Sequence, residues 1–351
     1  MRPSRFLLGG LRTTLLSVAF LALLAPHAAS AQTHLLIVSG LGGEPKYAEL
    51  FRKWGLALVD AARTRYAVPD SEVVYLAEAG AADSRISGVS TKENIERTLQ
   101  RFAQRTGAGD QIVIVLIGHG SGENEDSRIS LPGPDMTARD FARVLDKLAA
   151  QQVAFIDMTS ASGDVLPVVS GPNRVVITAT KSSFERNESQ FAGFFVTALT
   201  GDGADVDKDG RVSLLEAFRY AAAETKRHYE QDTRLQTEHA QLDDDGDKKG
   251  SADPDPRVVP GQGDGALARR MFLGGATYAS RGTGGAGARP ASNDPRVAGL
   301  YKERFAIEEQ IEALKRRKTT LGADAYDDEL EKLLVGLALK SREIRQVEGR
   351  E

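Results

Sequence analysis

Two apolar runs set what this chain can fold into. Ile112 to Gly122 reads IVIVLIGHGSG and Val153 to Gly163 reads VAFIDMTSASG, so each aliphatic stretch stops abruptly at a small polar cluster. A run that is apolar at every position, not at alternate ones, suits a strand buried on both faces, the condition of a parallel sheet packed between helices. Shorter runs of the same kind recur at Leu35–Val38, Val73–Leu76 and Val175–Thr178. Helical spacing fills the intervals. Tyr47, Leu50, Phe51, Trp54 and Leu58 share a face after Pro45, as do Ile95, Leu99 and Phe102 after Thr91, and Phe141, Leu145 and Leu148 after Thr137. Phe191, Phe194, Phe195 and Leu199 make a further apolar helix, and Leu214, Phe218, Ala221 and Thr225 another. Strands alternating with helices predict βαβ crossovers and a layered α/β sandwich with a mostly parallel sheet. Active sites of open α/β sheets collect at the carboxyl ends of the strands. That rule singles out His119-Gly120 and the Thr159–Gly163 turn.

The termini read differently from this core. Arg2, Arg5 and Arg12 precede or enter an apolar stretch from Leu15 to Ala25, and Ala29-Ser30-Ala31 offers the small residues a signal peptidase reads. Residues 1–31 are expected to be a cleaved signal peptide, leaving a periplasmic or secreted chain that starts at Gln32. The apolar stretch is short for a membrane span and no second one follows, so no stable span is expected. The 351 residues carry a formal charge of −4, and a leader with three Arg and no acid leaves the rest near −7. That balance does not suit a nucleic-acid footprint. With no cysteine, the chain has no disulfide and must be stable through its core.

Residues 32–250 therefore form the expected α/β domain. Between 251 and 295 the composition turns to Gly, Pro, Ala, Ser and Asp, which reads as a linker; its apolar island Ala266–Leu273 is a candidate edge element of the sheet. Over 296–351, Leu300, Ile307, Ile311, Leu314 and Leu321, then Leu330, Leu333, Leu337, Ile344 and Val347, recur at helical spacing around Gly322. This predicts an antiparallel coiled hairpin of two helices, a surface for self-association or for a partner protein.

At the strand ends, His119 offers an imidazole base, and Gly120 lacks the Cβ that would keep the next N–H away from a substrate oxyanion. The Thr159–Gly163 turn supplies hydroxyls one crossover later. A plainer reading stands beside this one: His119 caps a turn, and Ser160 and Ser162 cap the short helix starting near Gly163. No Gly-x-Ser-x-Gly elbow stands at either strand end, which argues against an ordinary α/β-hydrolase.

At these residues the chain resembles the caspase-like cysteine peptidases, the group holding legumain, the glycosylphosphatidylinositol transamidase subunit, gingipains and metacaspases, with legumain-like members most similar. Their pattern is an apolar strand ending in His-Gly, then a strand ending in Ala-Cys-x-Ser-Gly. The first half is intact here as Ile117-Gly118-His119-Gly120, and the second reads Met158-Thr159-Ser160-Ala161-Ser162-Gly163. Aligning the Ser-Gly pair puts Ser160 at the cysteine position; counting from the strand puts Thr159 there, and Ser160 is preferred. The resemblance spans Thr33 to Thr225. It implies a caspase-like three-layer sandwich and a catalytic set of His119, Gly120 and Ser160 acting on a peptide or protein. A thiol ionises readily, whereas a serine hydroxyl needs a well-oriented base, usually held by an acid. Two expectations follow: a pseudopeptidase that binds without cutting, or a serine-type hydrolase with His119 as base.

A second motif is independent of that question. Asp205, Asp207 and Asp209 alternate, Gly210 allows a sharp turn, Arg211 offers a carbonyl, Ser213 can act through water, and Glu216 closes the twelve-residue spacing of an EF-hand calcium loop over 205–216. Calcium is the expected cofactor. Ser213 and Glu216 alone would also make a capping box. The acidic run Asp243 to Gly250 lacks a closing carboxylate at the right distance and reads as a solvated loop, with calcium the minor alternative. Glu238 and His239 before it read as surface residues, with a metal-ligand role the alternative.

Overall fold

The computed structural model describes residues 32–79, 83–107, 109–148, 151–206, 211–255, 263–274 and 321–347, with 300, 303–304, 307, 310–311 and 314. The expected signal peptide, residues 256–262 and 275–295 of the expected linker, and much of the first half of the expected hairpin lie outside the described residues.

β1 (Thr33–Ser39) pairs in parallel with β2 (Val73–Ala77) on one side and with β4 (Gln111–Ile117) on the other. β3 (Gly88–Val89) extends the sheet past β2, while β8 (Gln152–Asp157) and β9 (Arg174–Thr178) follow β4, all parallel. β10 (Gln241–Asp243) closes the far edge antiparallel to β9. A small antiparallel sheet is made of β5 (Gly120–Ser121), β6 (Arg128–Ile129) and β7 (Met136–Thr137).

The continuous apolar runs are explained by cover on both faces. Along β1 and β4, Leu35, Ile37, Val113 and Val115 face α1 (Pro45–Thr64), α5 (Gln190–Thr200) and α6 (Leu214–Gln231). Leu36, Val38, Ile114 and Leu116 face α2 (Lys92–Arg105), α3 (Ala138–Leu145) and α4 (Leu166–Val169). All eight strand residues are fully buried, so neither face could take a polar residue without an unmade hydrogen bond. The result is a three-layer α/β sandwich with a mostly parallel sheet. Helix starts follow local chemistry: Pro45 opens α1, the Thr91 side chain accepts from Asn94 N ahead of α2, and Thr137 with Asp140 forms a capping box for α3.

The apolar island does not return as a strand of the sheet. Residues 263–274 turn through a short 3-10 segment (Ala268–Arg270) and insert Met271, Phe272 and Leu273 among buried residues beside α6, with Ser213 bridging to Phe272. Gln111 Nε2 donates to the Phe272 carbonyl at 2.6 Å. This stretch of the expected linker is thus part of the core, held by its own side chains, and the edge position it might have filled belongs to β10. At the C-terminus, α7 (Ala323–Val347) is one long helix. Lys340 Nζ meets Glu303 at 2.8 Å, and Gly336 faces Ile307, so the helical positions before it run antiparallel to α7. Among the described residues, no helix is long and apolar enough to cross a membrane.

Candidate functional site

β4 and β8 end level with one another, Leu116 opposite Asp157. His119 and Ser160 therefore leave neighbouring strand ends, and Gly120 and Ser160 meet. Gly120 N donates to Ser160 Oγ at 3.2 Å, and the same hydroxyl donates to Gly120 O at 3.4 Å. Ser160 is 4% exposed. The approach is close enough to require glycine: a Cβ on Gly120 would sit 2.2 Å from the Ser160 carbonyl oxygen and 2.6 Å from Thr159 Oγ1.

His119 turns the other way. Its Nε2 lies 3.2 Å from the Gly42 carbonyl, in the crevice between β1 and β4, where the strand order of the sheet reverses. A carbonyl only accepts, so Nε2 carries a proton, and in the neutral ring the lone pair is on Nδ1. Tyr47 and Phe51 of α1 meet the ring edge-on at 4.9 and 5.2 Å between centroids. No hydrogen bond joins His119 to Ser160 among the described residues.

Asp157, the carboxylate nearest in sequence, does not hold the histidine either. Its Oδ1 accepts from Thr159 N at 3.0 Å and Thr159 Oγ1 at 2.7 Å. Burial pushes its pKa up to about 6, against the pull of the two Thr159 hydrogen bonds. Thr159 is committed to this turn as well. Ser162 Oγ accepts from Ala179 N and Thr180 N at 3.1 and 3.3 Å, tying the β8 turn to the β9 turn. Neither Ser160 nor Ser162 caps a helix: Ala161, at φ +57°, precedes the 3-10 turn Ser162–Val165 with no side-chain cap. Two clefts open nearby, but the residues that line them do not include His119 or Ser160. One of about 280 Å³ lies beside Ser39, Phe51 and Glu78; the other, of about 680 Å³, lies among Asn124, Asp164, Lys181, Gln241 and Lys248.

In the 205–216 loop, Asp207 and Asp209 lie outside the described residues. Glu216 folds back over the loop: Oε1 accepts from Val206 N at 2.9 Å, and Oε2 from Ser213 N and Oγ at 2.9 and 2.8 Å. Ser213 Oγ accepts in turn from Glu216 N, which completes a capping box for α6. Asp205 is 7% exposed, and Arg211 stacks on Phe272 at 3.8 Å. The closing carboxylate thus lies beside Val206, at the start of the loop.

Glu238 is not a surface residue. It is 2% exposed and its carboxylate accepts from Ser189 Oγ, Gln190 N and Phe191 N, capping α5 from 47 to 49 residues away. His239 is partly exposed and pairs with Glu185 at 2.5 Å, which also fastens the loop after β9. Such long-range partners leave no mark in local sequence. Asp264 escaped for the same reason, since it lies in a Gly/Pro-rich stretch yet comes back to Asp243 and Asp245.

No protein-family model matches the chain, and no curated protein matches it. Among solved structures it is similar to the crystal structure of the Drosophila initiator caspase Dronc, with a TM-score of 0.39 and 11% identity, covering 64% of this chain and 87% of that one. A likeness that distant transfers no residue roles.

Proposed function

We propose that this protein is a secreted pseudopeptidase, a peptidase-type α/β sandwich in which Ser160 stands at the nucleophile position without cutting and the domain serves as a calcium-stabilised binding module. The observation that carries the reading is the commitment of the Ser160 hydroxyl. Buried and bonded in both directions to the Gly120 backbone, it braces two strand ends. To attack a carbonyl it would have to abandon both bonds and reach a base whose proton-bearing nitrogen is held on Gly42. Serine lacks the acidity that lets a thiol do without a third residue, and Asp157 is occupied by Thr159.

The ligand is a peptide or protein docking at the carboxyl edge, where Phe184 stands 80% exposed on the loop after β9. The hairpin adds a second surface for another copy or a partner protein, with Leu334, Val335 and Leu339 about half exposed on α7. Calcium would be held by Asp205, Asp207, Asp209, the Arg211 carbonyl, Ser213 and Glu216, neutralising four crowded carboxylates. A serine-type hydrolase is the second reading, and one observation favours it: the Gly42 contact leaves Nδ1 of His119 as the acceptor a general base needs. Incubation with diverse peptide libraries, followed by mass spectrometry, separates the two. The pseudopeptidase leaves every peptide intact; cleavage lost in both Ser160→Ala and His119→Ala would establish the hydrolase.

A further inference from the structure

β10 ends on Asp243, and the acidic turn that follows was expected to lack a closing carboxylate. The structure supplies one from another part of the chain. Asp264 returns beside the turn, and Asp243, Asp245 and Asp264 each bring a carboxylate oxygen within 4.8 Å of the others. Asp244 secures the arrangement. Its carboxylate accepts from Gly265 N, Leu267 N and Ala268 N at 2.9, 2.8 and 2.7 Å, and its own N–H donates to Asp264 Oδ1 at 2.9 Å.

Proximity of acids alone would not indicate a ligand, but Asp243 adds a separate observation. It is fully buried, and while Oδ1 accepts from Gly246 N at 2.9 Å, Oδ2 is shut away from solvent with no hydrogen-bond partner. The Ser170 hydroxyl, also buried, stands beside this carboxylate and faces it. Nor does a basic side chain of the protein neutralise the three: the adjacent Lys249 pairs with Asp247, and among the described residues none of the three forms an ion pair. A buried carboxylate without a counter-charge is costly, and a cation supplies one.

We infer that Asp243, Asp245 and Asp264 form a divalent-cation site, separate from the 205–216 loop, that takes calcium and clasps residues 263–274 onto the domain. The donors are all carboxylate oxygens, which suits a hard cation. Oxygens within 4.8 Å of one another can share one calcium ion, whose oxygen ligands lie at about 2.3–2.6 Å. The clasp joins the strand edge to the segment that places Met271 and Leu273 in the core. An affinity of about 10⁻⁴–10⁻³ M suffices outside the cell.

The test is calcium titration by isothermal calorimetry of the full chain carrying Glu216→Gln, in which the first loop is disabled. This protein should still bind one calcium per chain, and amide exchange at Leu267 and Ala268 should slow when it does. Adding Asp245→Asn should weaken that binding by about tenfold or more. Asp245 is only half-buried and its hydrogen bond from Asp247 N survives in asparagine; Asp264→Asn, which keeps the acceptor for Asp244 N, is the second variant. Circular dichroism verifies the fold of each. A folded Glu216→Gln protein that binds no calcium at millimolar concentration overturns the site, as does binding that both asparagine variants leave unchanged. Loss of an ion between wild type and Glu216→Gln reports the 205–216 loop by itself, so either site can fail alone.

Discussion

At the scale of single residues, the strand-end cluster behaves as a brace. Removing the Ser160 hydroxyl leaves the part-buried Gly120 N–H without its partner, so Ser160→Ala should lower unfolding free energy by about 0.5–1.5 kcal/mol in urea titration. A catalytic serine with no bracing role would lose activity and little stability. Gly120→Ala should cost about 1–3 kcal/mol or more, because the new methyl meets backbone rather than a flexible side chain. Asp157 gives the pH dependence. Its folded pKa, raised to about 6 by burial, exceeds the unfolded value near 3.8, so between these limits the folded state binds more protons. Stability from this group is therefore greatest below about pH 4 and is lost as pH rises through about 6, a swing of about 3 kcal/mol. In Asp157→Asn, whose amide oxygen can still accept from Thr159, that component of the slope should vanish relative to wild type; parallel stability–pH curves would contradict it.

At the scale of elements, α6 separates capping from cation binding. Ser213→Ala should cost about 0.5–2 kcal/mol even in chelator, since the hydroxyl caps the helix without any ion. Glu216→Gln keeps a capping-box side chain and removes the charge, so in chelator it should be nearly neutral while calcium stabilises it less than wild type. Thermal unfolding with and without calcium reads both. The long elements were legible in the sequence: five aliphatic runs are β1, β2, β4, β8 and β9, and the apolar periods after Pro45, Thr91 and Thr137 are α1, α2 and α3. β3, β10 and α4 were not, because two to four residues carry no period. The neighbouring positions of His119 and Ser160 followed from parallel strands of matched length. The direction of the His119 ring did not, because Gly42, 77 residues away, sets it.

At the scale of the whole molecule, stability should depend on calcium. At a concentration about a hundredfold above Kd, each site adds about 2.7 kcal/mol by mass action. Melting temperature should thus rise by several degrees over chelator, with Glu216→Gln and Asp245→Asn each removing part of the rise. On the proposed reading, bound ions hold loops and the strand-end hydroxyl braces backbone, so the chain presents a surface and turns over no substrate. The most direct check is labelling of the full chain with a serine-directed phosphonate, followed by intact-mass spectrometry of wild type, Ser160→Ala and His119→Ala in saturating calcium. The protein described here stays unlabelled in all three. A single adduct on wild type that disappears in both variants would contradict that account and make Ser160 a working nucleophile.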